Sequence, residues 1–456
     1  MSSEGEEGVV ELELMGEPSG KGQGGGQEEK TQTQAGIEIN FNLDDEEEMV
    51  EEADGGLGEA ELAGEKSKWE KLWDRVTEPW VKLSKRVKTV IILAVTGVIL
   101  FALVLAIFVP YLWTDSVTRE YYIQAELIDG GWDYAPADKN LVTGASFTRE
   151  EDIYMRQTSA TIGRVYQKAR FVGYKSSNFT ERLEPKAQLG LVGPVIRAAV
   201  GEVLKVTVRN TLDFPISFFA NGLELTKLAE GAQYKDKYDG QKGDRIEKGQ
   251  EYTYVIDLSE LDGPASNDFS SVAYAYYSHV DTVAEFNSGL AGVIVVCESG
   301  KADEDAVPTD VDTEVVIMPV VMDENESMFL DENMQTYLLG DTSNATAMEA
   351  LKLQPQFIES NTMRSINGYM FGNLPNVTIN AGKRSRWYVV GLGEGTHTII
   401  WSGQTLVSES ERIGSVLSYP GTTTVADIEP LEPGTWLIEA YGRDGELGME
   451  ALYEVV

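Results

Sequence analysis

Residues 200–210 read VGEVLKVTVRN and residues 250–258 read QEYTYVIDL. In both, apolar and polar side chains alternate, and Val, Ile, Thr and Tyr are common. A period of two places alternate side chains on opposite faces of a pleated strand. Five further runs are similarly rich in β-branched and aromatic residues: GLAGVIVVC (289–297), TEVVIMPVVMD (313–323), RSRWYVVG (384–391), THTIIW (396–401) and GTWLIEAY (434–441). Clusters of Gly, Pro, Asn and Asp separate them, and no long helical period intervenes. The pattern predicts an all-β segment of sandwich type.

That segment fills about 340 residues, enough for two ordinary domains. A faint repeat supports two. LGLVGPVIRAAVGEVLKVTVRN, followed later by GLAGVIVV, has a counterpart in MFGNLPNVTINAGKRSRWYVVG, followed by the terminal LYEVV. Each copy is a Gly-containing turn, a strand, a Gly turn and another strand, as two copies of one sandwich would show. The polar stretch SGKADEDAVPTDVD, from Ser299, is the linker candidate. The expected domains are 118–300 and 313–456, joined by 301–312.

Upstream lies TVIILAVTGVILFALVLAIFVPYLW, residues 89–113. From Thr89 to Val109 there is no charge, and 15 of the 21 residues are Val, Ile, Leu or Phe. As a helix rising about 1.5 Å per residue, that stretch covers roughly 30 Å, the thickness of a bilayer core. A signal peptide has a shorter apolar stretch nearer the N-terminus. Lys66, Lys68, Lys71, Arg75, Lys82, Lys85, Arg86 and Lys88 precede the stretch, and little basic excess follows it. The positive-inside rule then expects a cytoplasmic N-terminus and a single-pass, type II, signal-anchored chain, with Tyr111 and Trp113 in an outer aromatic belt. N-x-S/T sequons at Asn178, Asn325, Asn344 and Asn376 all follow the span and are the expected glycosylation sites.

Residues 1–65 hold 20 acidic residues against Lys21 and Lys30. So little apolar surface predicts a disordered cytoplasmic tail, either an acidic interaction segment or a solvated one. Residues 66–88, KSKWEKLWDRVTEPWVKLSKRVK, place Trp69, Leu72, Trp73 and Val76 at helical spacing among basic residues. This suggests a short amphipathic helix on the anionic inner leaflet, interrupted at Pro79; a calmodulin-type peptide is the weaker option.

Several blocks of the outer segment resemble the plastocyanin-like A domains of the ceruloplasmin, hephaestin and coagulation factor V and VIII family. They are EYYIQAELIDGGWDYAP, LGLVGPVIRAAVGEVLKVTVRNT, YTYV, YYSHVDTVAEFNSGLAGVIVVC, MDENES and ESNTMRSINGYMFGNLP. The resemblance runs from about Arg119 to Val456 and covers one domain pair. It implies two tandem cupredoxin-like Greek-key sandwiches. The YYSHVD to GVIVVC block is its most specific part.

The resemblance also implies where copper ligands belong. Copper for electron transfer takes soft thiolate and imidazole donors. The chain has two histidines, His279 and His397, and one cysteine, Cys297; a trinuclear cluster in this family would need about eight imidazoles. The family's first His-x-His falls on Phe219 and Asn221. The second falls on Tyr277 and His279. In the second domain His397 stands at the first type 1 ligand, Ala440 at the Cys, Gly445 at the second His and Met449 at the Met. The expectation is therefore a degenerate copper scaffold without copper and without enzymatic activity, with His397 a surface or loop residue and His279 a structural hydrogen-bonder.

The family's disulfide position implies that Cys297 has lost its partner, the matching position reading Ser271. A lone Cys in an oxidising compartment is either buried or joins two chains as a covalent homodimer. The family's calcium loop matches KLAEGAQYKDKYDGQKGD, with Lys227 (through its carbonyl), Glu230 and Asp236 aligned and Asp239 and Asp244 as additions. Oxygen donors at flexible distances suit calcium; a solvated acidic loop is the alternative.

The formal net charge of −38 disfavours nucleic acid and favours cations, basic proteins or a calcium-rich matrix. No G-x-S-x-G elbow, Cys–His nucleophile pair or phosphate loop occurs. The expected function is a membrane-tethered, non-enzymatic binding or adhesion ectodomain with an extracellular protein or cation-rich matrix as partner. The alternatives are a cell-surface, ferroxidase-like multicopper oxidase homologue, or an acidic, calcium-associated matrix component released by shedding.

Overall fold

The computed structural model describes residues 77, 80, 83–112, 116–235, 243–442 and 447–456. The acidic tail, nearly all of the amphipathic segment, Trp113, Asp236, Asp239 and Gly445 lie outside the described residues. The apolar stretch is one helix, Lys85–Leu112, starting four residues before the first residue of the uncharged run. It is long and apolar enough to cross a membrane, and none of its candidate window, Lys85–Val104, is buried in the protein.

The described residues from 118 onward form two cupredoxin-like β-sandwiches. In the first, one sheet runs Ala169–Tyr174, Thr118–Leu127, Val203–Asn210, Glu251–Asp257, and the other runs Val195–Ala199, Ala291–Cys297, Ser271–Tyr277, Phe219–Asn221. In the second, one sheet runs Thr313–Ile317, Ser385–Val390, Thr423–Ile428, Leu406–Ser408, Glu411–Ile413. The other runs Thr378–Ile379, Glu450–Val455, Gly434–Tyr441, His397–Trp401, Val416–Ser418.

The repeat seen in the sequence is a repeat of topology. In each sandwich the opening strand lies parallel to a later one, Thr118–Leu127 to Val203–Asn210 and Thr313–Ile317 to Ser385–Val390. The closing strand of each lies parallel to the strand between, Ala291–Cys297 to Val195–Ala199 and Glu450–Val455 to Thr378–Ile379.

Two runs that are apolar without alternation have a common cause. Strand Ala291–Cys297 is buried at every position. Ile294 and Val296 face the core of the first sandwich, while Val293, Val295 and Cys297 join a cluster that includes Val316, Met318 and Tyr388 of the second. Strand Ser385–Val390 does the same, with Trp387 and Val389 in the second core and Tyr388 and Val390 in the shared cluster. A strand covered on both faces has no polar face to alternate with. The two sandwiches therefore share a core. Gly190 shows how closely they approach: at φ 56° it sits where a Cβ would fall 2.1 Å from the carbonyl oxygen of Asn367.

The linker candidate is a folded turn. Ala302 bridges to Pro308, Ala306 is fully buried, and Asp310 pairs with Arg386 at 3.0 Å. Three short helices, Leu330–Tyr337, Ala345–Lys352 and Pro355–Ser360, add to the second half beside the sheets.

One carboxyl gives this fold a pH signature. Glu450 lies opposite Glu439 across the last strand pair, and among the described residues its Oε2 has no hydrogen-bond partner. Burial first, then the charges of Glu439 and Glu151, push its pKa from 4.5 up to about 7. A carboxyl whose folded pKa is raised contributes most to stability below its unfolded pKa, and that contribution is lost as pH climbs through the folded pKa. The window is therefore from about pH 4.5 to about 7. Glu450→Gln is expected to stabilise the protein by ~1–3 kcal/mol at pH ~8 and to change little at pH ~4.5, read as thermal midpoints at the two pH values.

Candidate metal centre

In the first sandwich, strand Phe219–Asn221 pairs with the end of strand Ser271–Tyr277 so that Phe219 lies opposite Tyr277. His279 follows just beyond the strand, its backbone N–H donating to Ser217 Oγ at 3.0 Å. The matched positions do converge, but as an aromatic stack. The Phe219 ring is 4.9 Å from the His279 ring and 5.5 Å from that of Tyr277, and Tyr277 and His279 stack at 6.1 Å. Among the described residues, His279 Nδ1 is buried without a hydrogen-bond partner. The imidazole is thus held by ring contacts, not as the structural hydrogen-bonder expected. Asn221 Nδ2 instead donates to the Gly421 carbonyl at 3.0 Å and ties the two sandwiches together.

In the second sandwich His397 opens its strand and is only 2% exposed, correcting the surface or loop position expected. Its Nε2 lies 3.3 Å from the Glu394 carbonyl oxygen. Ala440 pairs across to Ile399, and its N–H donates to the Met449 carbonyl at 3.0 Å. Both Ala440 and Met449 belong to the core with Trp387 and Trp401. A methyl group therefore fills the space where the resemblance placed a thiolate.

Between the sandwiches, next to both places, is a cavity of about 260 Å³ lined by Tyr277, Phe286, Leu392, Asp323, Glu326 and Glu394 among others. Its walls are mixed, apolar with three carboxylates. Such a cleft concentrates cations by its field. Among the described residues no group of three or more His, Cys, Asp or Glu is placed to hold a metal ion.

The calcium positions are only partly described. Lys227 bonds Glu230 and Tyr234 through its ammonium, so that a protein cation neutralises the Glu230 carboxylate. Asp244 lies near Tyr252 and Tyr254, and its charge contributes to raising both phenol pKa values after burial.

Cys297 is fully buried, opposite Ser271, in the register of the matched pair. Burial first, then the Glu314 charge, push its thiol up to about 12. A bridge between chains would require opening this strand. Ser271 Oγ meets the Tyr388 hydroxyl at 2.8 Å and accepts from Arg386 Nη1 at 2.9 Å. Polar contacts to the second sandwich thus stand where the disulfide partner would be. Composition alone gave no sign of that network, which joins Ser270, Ser271, Asp310, Arg386 and Asp427 across about 160 residues of sequence.

Of the sequon asparagines, Asn178, Asn344 and Asn376 are exposed. Asn325 is half-buried, its amide donating to Asp323 Oδ1 at 2.7 Å and to the Ile358 carbonyl at 2.9 Å.

Residues 189–301 match the multicopper oxidase family model. The chain is 33% identical over 377 residues to hephaestin of Homo sapiens, covering 79% of this chain and 31% of that protein. It is 32% identical over 348 residues to ferroxidase HEPHL1 of Homo sapiens, covering 75% and 29%. It is 33% identical over 343 residues to ceruloplasmin of Rattus norvegicus, covering 74% and 32%. The chain thus spans about a third of the length of the curated relatives it matches.

These matches correct two expectations. The expectation of a non-enzymatic chain is contradicted by the multicopper oxidase match and by relatives that include a ferroxidase, which make oxidoreductases the chain's likeness. The expectation of no copper is overturned by the same matches, since copper is what that family implies. The residues present do not by themselves fit the metal: an aromatic stack, an alanine methyl and two separately placed imidazoles are not a copper donor set.

Proposed function

From the premise that this chain belongs to the multicopper oxidase family of ceruloplasmin and hephaestin, we propose that it serves ferroxidase-class oxidation at a membrane surface, as one domain pair of a copper-bearing assembly. The observation that carries this is the kinship itself, to a named ferroxidase over 75% of the chain. With two histidines and one cysteine in this sequence, the remaining copper donors would come from outside these residues. Asp323, Glu326 and Glu394 line a cleft whose negative field suits a small cationic substrate such as ferrous iron.

The helix Lys85–Leu112 would fix the assembly in the bilayer. The basic residues before it favour a cytoplasmic N-terminus with the sandwiches outside. There, exposed Asn178, Asn344 and Asn376 would carry glycans.

The test is ferrous-iron oxidation, followed with oxygen uptake, in native membranes before and after immunodepletion of this chain. Depletion is expected to remove most of a ferroxidase activity, and the captured material to oxidise Fe²⁺. Captured chain without that activity, and undiminished activity in the depleted membranes, would contradict the proposal.

A further inference from the structure

Every half-buried or buried arginine in the first sandwich but one has an acid. Arg119 pairs with Glu202, Arg164 with Asp133, and Arg197 with Glu314. Arg170 does not. It lies in strand Ala169–Tyr174, half-buried, opposite Glu126. The Glu126 carboxylate is already engaged by Arg182, the Tyr174 hydroxyl and Gln124. Among the described residues, the Arg170 guanidinium makes no hydrogen bond and no ion pair. In a chain of net charge −38, acids are abundant and a lone desolvated cation is out of place.

Arg170 lines a cavity of about 240 Å³ between its own strand and the 183–195 loop. Leu183, Leu189 and Pro194 supply apolar walls, and Lys186 adds positive charge; Arg197 also lines the cavity but is paired with Glu314, and Glu184, the acidic lining residue, is exposed. The space depends on Gly173. A Cβ there would come 3.1 Å from Leu183 Cδ1 and 3.3 Å from Pro194 Cγ, inside the cavity lining. Burial lowers the Arg170 pKa, with the Glu126 charge opposing, so an anion in the cavity would relieve an existing cost.

We propose that this cavity binds a small organic carboxylate with an apolar body, the Arg170 guanidinium taking the carboxylate and Leu183, Leu189 and Pro194 packing the body. The planar guanidinium fork matches a carboxylate with two parallel hydrogen bonds. A concave, mainly apolar site with a few polar groups is the usual form of a small-ligand pocket. The site lies apart from the aromatic stack and the acidic cleft and does not depend on the proposed oxidation.

The experiment uses the full-length chain in nanodiscs and calorimetric titration with 4-phenylbutyrate, its amide and its amine. The acid is expected to bind saturably, and the amide and amine at least about tenfold more weakly. Arg170→Gln should weaken the acid by about 10–100-fold and leave the amide unchanged. Gly173→Val should abolish binding of all three while Arg170 remains in place. Should Arg170→Gln fail to fold, Lys186→Gln at an exposed position gives a second reading, a weaker acid affinity that depends less on salt. Equal affinity for acid and amide, wild-type affinity in a folded Arg170→Gln protein, salt dependence unchanged by Lys186→Gln, or no saturable binding of 4-phenylbutyrate or hexanoate would overturn the proposal.

Discussion

Arg386→Met is expected to destabilise the two sandwiches by ~3–5 kcal/mol, the cost of removing one partner from a buried ion cluster. The Arg386 side chain is fully buried. Nε and Nη2 reach the two oxygens of Asp427 at 2.9 and 3.0 Å, and Nη2 also reaches Asp310 at 3.0 Å. Nη1 donates to Ser270 and Ser271 of the first sandwich at 2.7 and 2.9 Å. Burial opposes the guanidinium charge, but Asp427 and Asp310 outweigh it and hold the pKa well above the ordinary arginine value. One side chain thus joins the first sandwich, the connecting turn and the second sandwich. Without it, Asp427 keeps a buried charge with only the more exposed Arg384, 3.9 Å away, as counter-ion. Arg386→Lys retains the charge but loses the fork and should cost about 1–3 kcal/mol. Urea unfolding of the two variants against wild type checks both values; equal stability of all three would remove this cluster from the account.

The second large effect is at Lys168 and Glu324, both fully buried and 2.6 Å apart. Lys168 comes from the first sandwich and Glu324 from the second half. Lys168 also donates to the Asn287 carbonyl, and the Tyr134 hydroxyl donates to Glu324 at 2.6 Å. Burial lowers the Lys168 pKa and raises that of Glu324, each opposed by its partner. Lys168→Met should cost ~3–5 kcal/mol at neutral pH, while Lys168→Met with Glu324→Leu should be near neutral. In the single variant the Glu324 carboxyl titrates still higher than in wild type. A raised carboxyl pKa loses its stabilising contribution as pH rises through it, so the deficit should be small below about pH 4.5 and full at neutral pH. Thermal midpoints across that range test the sign; a deficit independent of pH would show that Glu324 does not take up the proton.

Much of this fold is legible in the sequence because burial leaves a period. Alternation in VGEVLKVTVRN corresponds to a strand with one core-facing set, Leu204, Val206 and Val208. The unbroken run in GVIVVC was readable as a strand but not as the seam between sandwiches, because its second buried face depends on residues of the other sandwich, such as Val316, Met318 and Tyr388. The helices Leu330–Tyr337 and Ala345–Lys352 were missed because each has only eight residues, too few for a helical period to stand out. The matched metal positions were found by resemblance, and Phe219, Tyr277 and His279 do meet. Their stacking was not legible, nor was the burial of His397, since a lone histidine at a strand start gives no signal of its depth. Nor does sequence show which arginine lacks an acid: Arg170 looks paired with Glu126 until Arg182 and Tyr174 are seen to occupy that carboxylate.

The central proposal is that this chain, similar to multicopper oxidases, works within a copper-bearing assembly while its own described side chains do not complete a copper site. It is tested most directly by the copper-to-chain ratio, measured on material captured from native membranes and again on the full-length chain after the assembly is dissociated. The account predicts copper in the captured assembly and its loss from the separated chain. Stoichiometric copper retained by the chain alone, or native material that is a single copper-free species, would contradict it.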